Sequence, residues 1–422
     1  MSKAIAYNSA DLITPGTFLL IGFFFFNTFL LPSGLLYTTL LTPVFIIFLI
    51  QSRRWKPLLW FALLTVPLYF YYDLIGADMT VYLQSYLLFS SAAVFTTWAY
   101  HFIWANRASL GYYFQKITIY NSLLTMLAIP ILLIPVLNEF FWYFVPIHPA
   151  LPTIPRLKLL VYEPSFYSFQ LTPVFLYFLV CSIIDKKSQH MTSLLLLGLS
   201  LLLSLSFGVM GVLAAALVAV LISHPFSLLS RRRIFLFTVY LTITAAAATY
   251  ILLQYFPFNP VFERINMIVA GYDPSANGRT WQAFLLAWRI LGETNYLLGA
   301  GLGQIKVIGH QIIVDYYNYQ GDWADLVRIP NAMAETLASF GLAGAIARIV
   351  VQIVLFVHTK VYKNYYRLTL FCFIFIFQFT GSYLTNIYEY LIWLLVFLPV
   401  FPQFDKQSID PGRSQKLSKA LS

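Results

Sequence analysis

The sequence predicts an all-α polytopic membrane protein, with about 12 transmembrane helices and one large extracytoplasmic loop that contains short amphipathic helices. Hydrophobic residues make up 60% of the chain and charged residues only 10%, and the chain includes 39 Phe and 29 Tyr. Soluble domains carry about 25% charged residues, so this composition excludes a water-soluble protein. The net charge of +10 does not indicate a nucleic-acid partner, because basic residues of membrane proteins collect on one face.

Apolar runs long enough to cross a bilayer, about 20 residues or somewhat fewer in a bundle, recur along the chain. The first follows Lys3 and has no small-residue cleavage site after it, which indicates a retained signal anchor. The seventh and eighth runs are short, and one long tilted helix is the alternative for them. The predicted spans are 14–31, 35–51, 57–72, 80–104, 117–137, 166–184, 190–205, 207–223, 234–254, 333–357, 367–383 and 387–402.

The distribution of lysine and arginine decides between these two alternatives, because short cytoplasmic loops collect basic residues. With separate helices and a cytoplasmic N-terminus, eighteen basic residues lie inside and seven outside, whereas one merged helix would put Arg231 to Arg233 outside. Separate helices are therefore favoured. The inside set is Lys3, Arg53, Arg54, Lys56, Arg107, Lys116, Lys186, Lys187, Arg231, Arg232, Arg233, Lys360, Lys363, Arg367, Lys406, Arg413, Lys416 and Lys419. The outside set is Arg156, Lys158, Arg264, Arg279, Arg289, Lys306 and Arg328.

The chain is predicted to have four parts. They are an N-terminal transmembrane bundle over 1–254 with a short Pro-rich outer loop over 138–165, a large extracytoplasmic loop over 255–332, C-terminal transmembrane helices over 333–402, and a basic cytoplasmic tail over 403–422. The large loop is the only long stretch that cannot span a membrane, and it holds six of the 16 acidic residues. A long loop with its own pattern is usually functional, so we expect the chemistry to lie in this loop and its neighbours.

The large loop contains its own helix signals. Five apolar residues follow the spacing i, i+3, i+4, i+7 and predict an amphipathic helix at the membrane interface. They are Trp281, Phe284, Leu285, Trp288 and Leu291. The run Gly299 to Gly303 is predicted to end this helix, and a short helix through Ile305, Ile308 and Ile312 follows. Asn331 is predicted to cap the next span, with Glu335 in its first turn.

Arg156 and Arg279 are the outer-face cations whose positions are most informative. Arg156 precedes Pro164 at the mouth of the sixth span, and Arg279 precedes the amphipathic helix. A guanidinium is always charged and binds phosphate oxygens through two parallel hydrogen bonds. We therefore predict that both arginines, with Lys158, bind a lipid diphosphate head group. The alternative is that Arg279 pairs with Asp273 or another loop acid and that Arg156 binds ordinary lipid.

Glu163 has two interpretations. It precedes Pro164 at an ordinary helix start, or its carboxylate acts as a general base beside Arg156. His310 is interpreted as a polar-face histidine of the short helix in preference to a catalyst. Arg348 lies inside a span, where a cation costs about 2.5–3.5 kcal/mol, so we expect it to face the bundle or a hydrated cavity.

Other signals for chemistry are weak. Cys181 and Cys372 each lie in an apolar run and are interpreted as packing residues. The sequence contains no metal-ligand cluster and no P-loop, and the run Gly299 to Gly303 does not follow a strand, which argues against a dinucleotide site. No metal and no cofactor are therefore expected.

Three motifs occur in a fixed order along the chain. The first is Arg156, eight residues before Pro164 in Glu163-Pro164-Ser165. The second is Arg279, a Trp-containing amphipathic helix and then Leu297-Leu298-Gly299-Ala300-Gly301-Leu302-Gly303. The third is Asn331 before Glu335-Thr336-Leu337-Ala338-Ser339-Phe340-Gly341-Leu342-Ala343-Gly344. Together they resemble the motifs of bacterial O-antigen polymerases and O-antigen ligases, over about the central and C-terminal two-thirds of the chain.

The resemblance implies a metal-independent glycosyltransferase of the bacterial inner membrane, with both termini cytoplasmic. Such an enzyme joins undecaprenyl-diphosphate-linked oligosaccharide units into a surface polysaccharide, such as an O-antigen of lipopolysaccharide, a capsule or an exopolysaccharide. Its partners would be the lipid-linked oligosaccharide, the bilayer, a chain-length regulator protein and a flippase, and no nucleic acid. The candidate catalytic residues are Glu163, Arg156 and Arg279, and Arg328, Asn331, His310 and Arg348 are further candidates.

One departure from the family pattern favours a polymerase. Pro330 stands where the family often has histidine, and the ligases rely on that histidine. An O-antigen ligase that transfers polysaccharide to an acceptor is the nearest alternative, and Glu163 is the first substitute base to consider. A lipid-linked oligosaccharide flippase or transporter is the alternative from another class, although the sequence shows no clear inverted repeat.

Overall fold

The computed structural model describes residues 15–32, 35–146, 153–184, 188–223, 259–319 and 327–406. Within these ranges the protein is almost entirely α-helical, as predicted, with one two-stranded sheet. The predicted ninth span, 234–254, lies outside the described residues. So do the start of the first predicted span and the tail from residue 407 onward.

Ten helices precede residue 224 in the described ranges. They are α1 (Pro15–Phe26), α2 (Tyr37–Leu40), α3 (Thr42–Gln51), α4 (Lys56–Leu74), α5 (Met79–Ala105), α6 (Leu110–Ile131), α7 (Pro135–Phe141), α8 (Pro164–Ile184), α9 (Ser188–Ser204) and α10 (Phe207–Ser223). Strands β1 (Trp142–Tyr143) and β2 (Arg156–Leu157) pair antiparallel between α7 and α8, with Tyr143 opposite Arg156.

Seven helices follow residue 258 in the described ranges. They are α11 (Pro260–Val269), α12 (Pro274–Arg279), α13 (Trp281–Gly292), α14 (Ile308–Tyr317), α15 (Ala332–His358), α16 (Tyr365–Phe377) and α17 (Ile387–Phe397). Single 3₁₀ turns cover Gln304–Lys306, Val361–Lys363 and Pro402–Phe404.

Three helices, α4, α8 and α15, are long and apolar enough to cross a membrane, and α3, α9, α10, α16 and α17 are shorter apolar helices. Such helices are typical of a membrane protein. The number of spans stays a prediction. The separation of α9 from α10 is confirmed, because the chain turns at Leu205, whose φ is 48°.

Prolines explain two differences from the predicted helix boundaries. The predicted span 35–51 is divided into α2 and α3, and Pro43 lies in the first turn of α3. The predicted span 117–137 begins earlier, at Leu110, and ends at Ile131, after which Pro135 opens α7. Proline has no amide hydrogen and favours the first turn of a new helix, so it sets a boundary inside a continuous apolar run.

Helix α8 lies at the centre of the largest buried cluster. In the most apolar 18-residue stretch of α8, 72% is buried inside the protein, against 11% for the same stretch of α4 and 17% for that of α15. Tyr167 of α8 is fully buried and donates to Asn121 Oδ1 of α6 over 2.6 Å. The first turn of α8 is therefore held firmly, and that turn carries the residues next to Glu163.

Helix α15 is interrupted at Gly341, which has φ 65° and ψ −165°. In a continuous helix the amides of Leu342 and Ala343 would donate to the carbonyls of Ala338 and Ser339. Here the loop provides the partners. Leu342 and Ala343 donate to the Tyr296 and Leu297 carbonyls over 2.9 and 3.0 Å, while Ala338 and Ser339 accept from the Ala300 and Gly301 amides, each over 2.9 Å.

The glycine run from Gly299 to Gly303 therefore packs into the break in α15. Gly299 has φ 74°, and a Cβ there would collide with the backbone at Gly341. A Cβ at Gly341 would collide in turn with the Leu297 carbonyl. We call this the Gly299–Gly341 contact. The expectation that the run ends the amphipathic helix is wrong, because α13 already ends at Gly292.

The predicted amphipathic helix exists as α13, but its buried face differs from the predicted stripe. Trp281 and Trp288 are 73% and 49% exposed. The buried residues are Ala283, Leu286, Ala287, Ile290 and Leu291. This face packs against α15. Both sides of α13 are apolar, so the spacing of its apolar residues does not show which side of the helix is buried.

Candidate functional site at the start of α8

Glu163 and Arg279 lie together at the start of α8. Arg279 Nη2 is 3.9 Å from Glu163 Oε1, and the two side chains are 37% and 28% exposed. The Ser165 hydroxyl donates a short hydrogen bond to the same Glu163 oxygen. An exposed pair at this separation is weak, worth about 0–1 kcal/mol. Among the described residues, the Arg279 guanidinium makes no hydrogen bond, so its N–H groups are available to an anion.

The backbone of Arg279 is fixed by Asn331, which is fully buried. The Asn331 side-chain amide donates to the carbonyls of Arg279 and Phe379 over 2.7 and 2.6 Å. Its Oδ1 accepts from the Ala334 amide over 2.9 Å, so Asn331 caps α15 as predicted. One side chain thus joins the end of α12, the start of α15 and the end of α16.

Arg156 lies on β2 in the same charged region. Its guanidinium stacks 5.0 Å from the Tyr143 ring centroid, and Nη2 donates to the Val145 carbonyl over 3.3 Å. Its Nε is buried without a partner in the described part of the chain. Burial lowers the pKa of Arg156. The charges of Tyr143 and Glu163 oppose this shift, whereas the charges of Arg264 and Arg279 add to it. The guanidinium is therefore within electrostatic range of the Glu163–Arg279 pair.

Arg264 and Arg328 complete this group of cations. Arg264 Nε is 3.1 Å from Asp273 Oδ2, and Asp273 also caps α12 by accepting from the Ala276 amide over 2.6 Å. Pairing of Arg279 with Asp273 is therefore wrong, because Asp273 binds Arg264, but the other half of that alternative holds in that Arg279 lies beside an acid of the short outer loop, Glu163. Arg328 is exposed and lies 5.6 Å from the ring centroid of Tyr383.

A narrow cleft of about 30 Å³ opens beside the Glu163–Arg279 pair, and Arg156, Arg264 and Arg328 lie outside its lining. Its lining combines charge, hydroxyls and aromatic rings, and includes Tyr162, Glu163, Ser165, Phe166, Phe169, Arg279, Pro330, Phe377, Ser382, Tyr383 and Asn386. We call this the Glu163–Arg279 cleft. A volume of this size admits about one or two water-sized groups, so a larger ligand must lie across its mouth.

Two predicted site residues, Lys158 and His310, do not line the cleft. Burial lowers the pKa of Lys158, and the charge of Glu139 on α7 opposes this shift. The role of Lys158 in a diphosphate site stays a prediction. His310 is half-buried on α14 and is not part of the cleft lining. Pro330, by contrast, does line the cleft.

Arg348 belongs to a separate polar cluster among α15, α16 and α17. It forms a close ion pair with Glu389 and donates to Gln378 Oε1 and Thr336 Oγ1, each over 2.9 Å. Gln378 also exchanges two hydrogen bonds of 2.9 Å with Gln352. The sequence contains one signal for this pair. Glu389 is the only acidic residue in the predicted span 387–402.

Several residues of the cleft were not predicted. Tyr383 and Asn386 stand in no motif, and Tyr162 lies between Arg156 and Glu163 of the first motif but is one of 29 Tyr, with nothing that marks it. Among the described residues, no group of three His, Cys, Asp or Glu side chains is arranged to hold a metal ion.

The described part of the chain is almost entirely α-helical, its apolar helices are typical of a membrane protein, and its cleft is lined by Arg279 and Glu163. No protein-family model matches this chain, and no curated protein is significantly similar to it. The function must therefore be argued from the site and from the motifs that form it.

Proposed function

We propose that the protein is a polymerase that joins undecaprenyl-diphosphate-linked oligosaccharide units into a surface polysaccharide. The Glu163–Arg279 cleft is its active site, on the outer face of the bacterial inner membrane. The single observation that carries the proposal is the Arg279 guanidinium, which is partly exposed, has no hydrogen-bond partner among the described residues and lies beside a carboxylate.

The charge balance of the region supports a diphosphate ligand. Four guanidinium groups, those of Arg156, Arg264, Arg279 and Arg328, accompany the carboxylates of Glu163 and Asp273. The region around the cleft therefore carries more cationic than anionic side chains. A diphosphate between a sugar and a lipid keeps one ionised oxygen on each phosphorus, so an anion of this kind suits that excess.

The proposed reaction is a displacement at the anomeric carbon of one lipid-linked unit. A saccharide hydroxyl of the other unit forms the new glycosidic bond, and the bond between the anomeric carbon and the diphosphate oxygen breaks. Negative charge grows on the departing polyprenyl diphosphate, so Arg279 and Arg156 stabilise the transition state more than the ground state. The hydroxyl proton passes to Glu163, whose carboxylate is oriented by Ser165.

The cleft lining favours a polymerase over a ligase within this proposal. Pro330 contributes to the lining at the position where the resemblance leads us to expect histidine. Proline has no titratable group, so the proton must pass to another residue, and Glu163 is the carboxylate in the lining. A flippase is less well supported, because a loop fixed to α15 by backbone hydrogen bonds does not suit alternating access.

Analysis of lipid-linked saccharides in a deletion strain tests this proposal. If the protein is a polymerase, its deletion leaves single repeat units on the carrier lipid at the outer face and abolishes long polysaccharide. Long chains stranded on the carrier would indicate a ligase, and units held at the cytoplasmic face would indicate a flippase. The purified protein should also convert a lipid-linked unit into oligomers, and the Arg279→Ala variant serves as the inactive control.

The proposed orientation has its own test. Single cysteines placed near Asp322 and near Asn138 should react with a membrane-impermeant thiol reagent in intact spheroplasts. A cysteine beside Arg232 should react only after the membrane is permeabilised. Labelling beside Arg232 in intact cells would contradict the proposed arrangement of spans.

A further inference from the structure

A polar pocket of about 350 Å³ lies toward the end of α8 that is far from the Glu163–Arg279 cleft. Tyr177 and Phe178 of α8 line it, about 20 Å along the helix from the cleft residue Ser165. The first turns of α6 and α9 form two other sides, so we call it the α6–α9 pocket. Its volume falls within the range of small-molecule sites, about 300–1,000 Å³.

Arg107 gives the α6–α9 pocket a positive charge. Its Nη1 donates to the Trp104 carbonyl over 3.1 Å, and its guanidinium carbon lies 4.8 Å from the Trp104 ring centroid. These contacts hold the guanidinium, and its other N–H groups have no partner among the described residues. Lys116 adds a second cation nearby, with Nζ 5.2 Å from the ring centroid of the pocket-lining Tyr112. No Asp or Glu side chain belongs to the described lining, so the pocket suits an anion.

The start of α6 adds backbone donors to the same pocket. Helix α6 begins at Leu110, and Ser109 before it makes no side-chain hydrogen bond to the first turn. The amide of Gly111, which lines the pocket, donates to no acceptor in the described part of the chain. A helix start carries roughly half a positive charge and binds phosphate through such amides. An arginine beside it can pair with two oxygens of the same phosphate.

The rest of the lining suits the organic part of a phosphate ester. Gln115, Gln189 and Gln403 line the pocket, and none of their amides has a hydrogen-bond partner among the described residues. A side-chain amide both donates and accepts, so it pairs well with a hydroxyl group. Tyr177 and Phe401, with ring centroids 4.7 Å apart, form an apolar wall. A bare phosphate ion would leave the three amides and most of the volume unused.

We propose that the α6–α9 pocket binds a phosphate ester whose organic part carries hydroxyl groups. This chemistry has two sources, a soluble glycerol or sugar phosphate and the head group of phosphatidylglycerol in the adjoining leaflet. Under the proposed orientation the pocket faces the cytoplasmic side, where basic pockets between helices bind anionic lipids. The site is independent of the proposed reaction, because the pocket and the cleft share no lining residue.

Equilibrium binding to the purified full-length protein in phosphatidylcholine nanodiscs tests this inference. One probe is radiolabelled glycerol 3-phosphate, and the other is phosphatidylglycerol added at a low fraction and counted by native mass spectrometry. At least one probe should bind saturably. The analogues without hydroxyl groups, methyl phosphate and phosphatidylmethanol, should bind about tenfold more weakly, because they leave the amides unpaired.

Variants of the lining locate the bound probe. Arg107→Gln should weaken binding by at least about tenfold, because it removes the charged donors. Arg53→Gln removes an exposed arginine outside the lining and should leave binding unchanged. Ala108→Phe narrows the pocket and should also weaken binding, whereas Ala105→Phe adds the same volume at an exposed position outside the lining and should not.

The two probes also separate the two sources. Binding of glycerol 3-phosphate would indicate a soluble ligand, and binding of phosphatidylglycerol alone would indicate a lipid head group, and either result supports the site. Saturable binding of neither probe would overturn the inference. Wild-type affinity in folded Arg107→Gln and Ala108→Phe variants would overturn it as well. Equal binding of the analogues without hydroxyl groups would refute the role of the three amides.

Discussion

Two arginine–glutamate pairs of this protein differ in how fully they are bonded. All three guanidinium nitrogens of Arg348 have partners, and the Glu389 side chain is only 2% exposed. Arg279 is 3.9 Å from Glu163, 37% exposed and makes no hydrogen bond within the described residues. A bonded and buried pair holds helices together, whereas a loose, partly exposed pair retains donors for a ligand. The same two residue types therefore have different roles in the two regions.

The two regions are connected through the end of α16. Gln378 receives a hydrogen bond from Arg348, and its carbonyl accepts from the Met333 amide over 3.0 Å. The next residue, Phe379, accepts from Asn331, which also holds Arg279. The Arg348 cluster thus supports the elements that form one side of the cleft. Its contribution to activity should be indirect.

The largest effect on activity is expected at Arg279. Arg279→Ala should lower polymerisation by at least about 10²–10³-fold, because it removes a charge that stabilises the leaving diphosphate. Arg279→Lys keeps the charge but loses two-point pairing, so it should also impair polymerisation substantially. The activity of both variants is measured as the length and amount of polymer on gels, compared at equal amounts of folded protein.

Arg289→Ala is a matched control for this prediction. Arg289 belongs to the same loop but stacks 5.2 Å from the Tyr316 ring centroid, outside the cleft lining. It should retain near-normal polymerisation. If Arg279→Ala made polymer of normal length at a normal protein level, Arg279 could not be a diphosphate ligand.

The next effect concerns the proton acceptor. Glu163→Gln keeps the size of the side chain and removes the base, so polymerisation by the purified protein should fall by about 10²–10⁴-fold. His310→Ala should be mild, because His310 does not line the cleft. The opposite result, with an inactive His310→Ala variant and a normal Glu163→Gln variant, would move the base to His310.

The Arg348 pair should give a loss of stability with little change in specific activity. Arg348→Met leaves Glu389 buried without its cation, which costs about 3–5 kcal/mol, whereas removing both charges restores much of that loss. The double variant Arg348→Met with Glu389→Met should therefore be more stable than the single one in thermal unfolding. A single variant that stays folded but makes no polymer would show that the cluster takes part in the reaction.

Local signals predicted those parts of the site that depend on neighbouring residues in the chain. Asn331 was predicted as a helix cap from its position, and Pro164 as a helix start. The partner of Arg279 was not predictable in this way, because Asp273 and Glu163 are both acids in polar loops. Asp273 caps α12 and is held by Arg264, so only the folded chain leaves Glu163 beside Arg279.

Long-range contacts explain most of what the sequence did not predict. The break at Gly341 is invisible in an apolar run because its cause lies in the glycine run of another segment. The sheet that aligns Arg156 with Tyr143 has only two residues in each strand, too few for a periodic signal. Glu389 was the exception, since it and Arg348 are each the lone residue of their charge sign in a C-terminal span, and buried opposite charges tend to pair.

The Gly299–Gly341 contact also makes the shape of α15 depend on a segment about forty residues earlier in the chain. A straight α15 would pair the Leu342 and Ala343 amides within the helix, so the break costs those two bonds unless other carbonyls replace them. The Tyr296 and Leu297 carbonyls are the replacements. A side chain at Gly299 would collide with the Gly341 backbone, so a substitution there should disturb the helix as well as the glycine run.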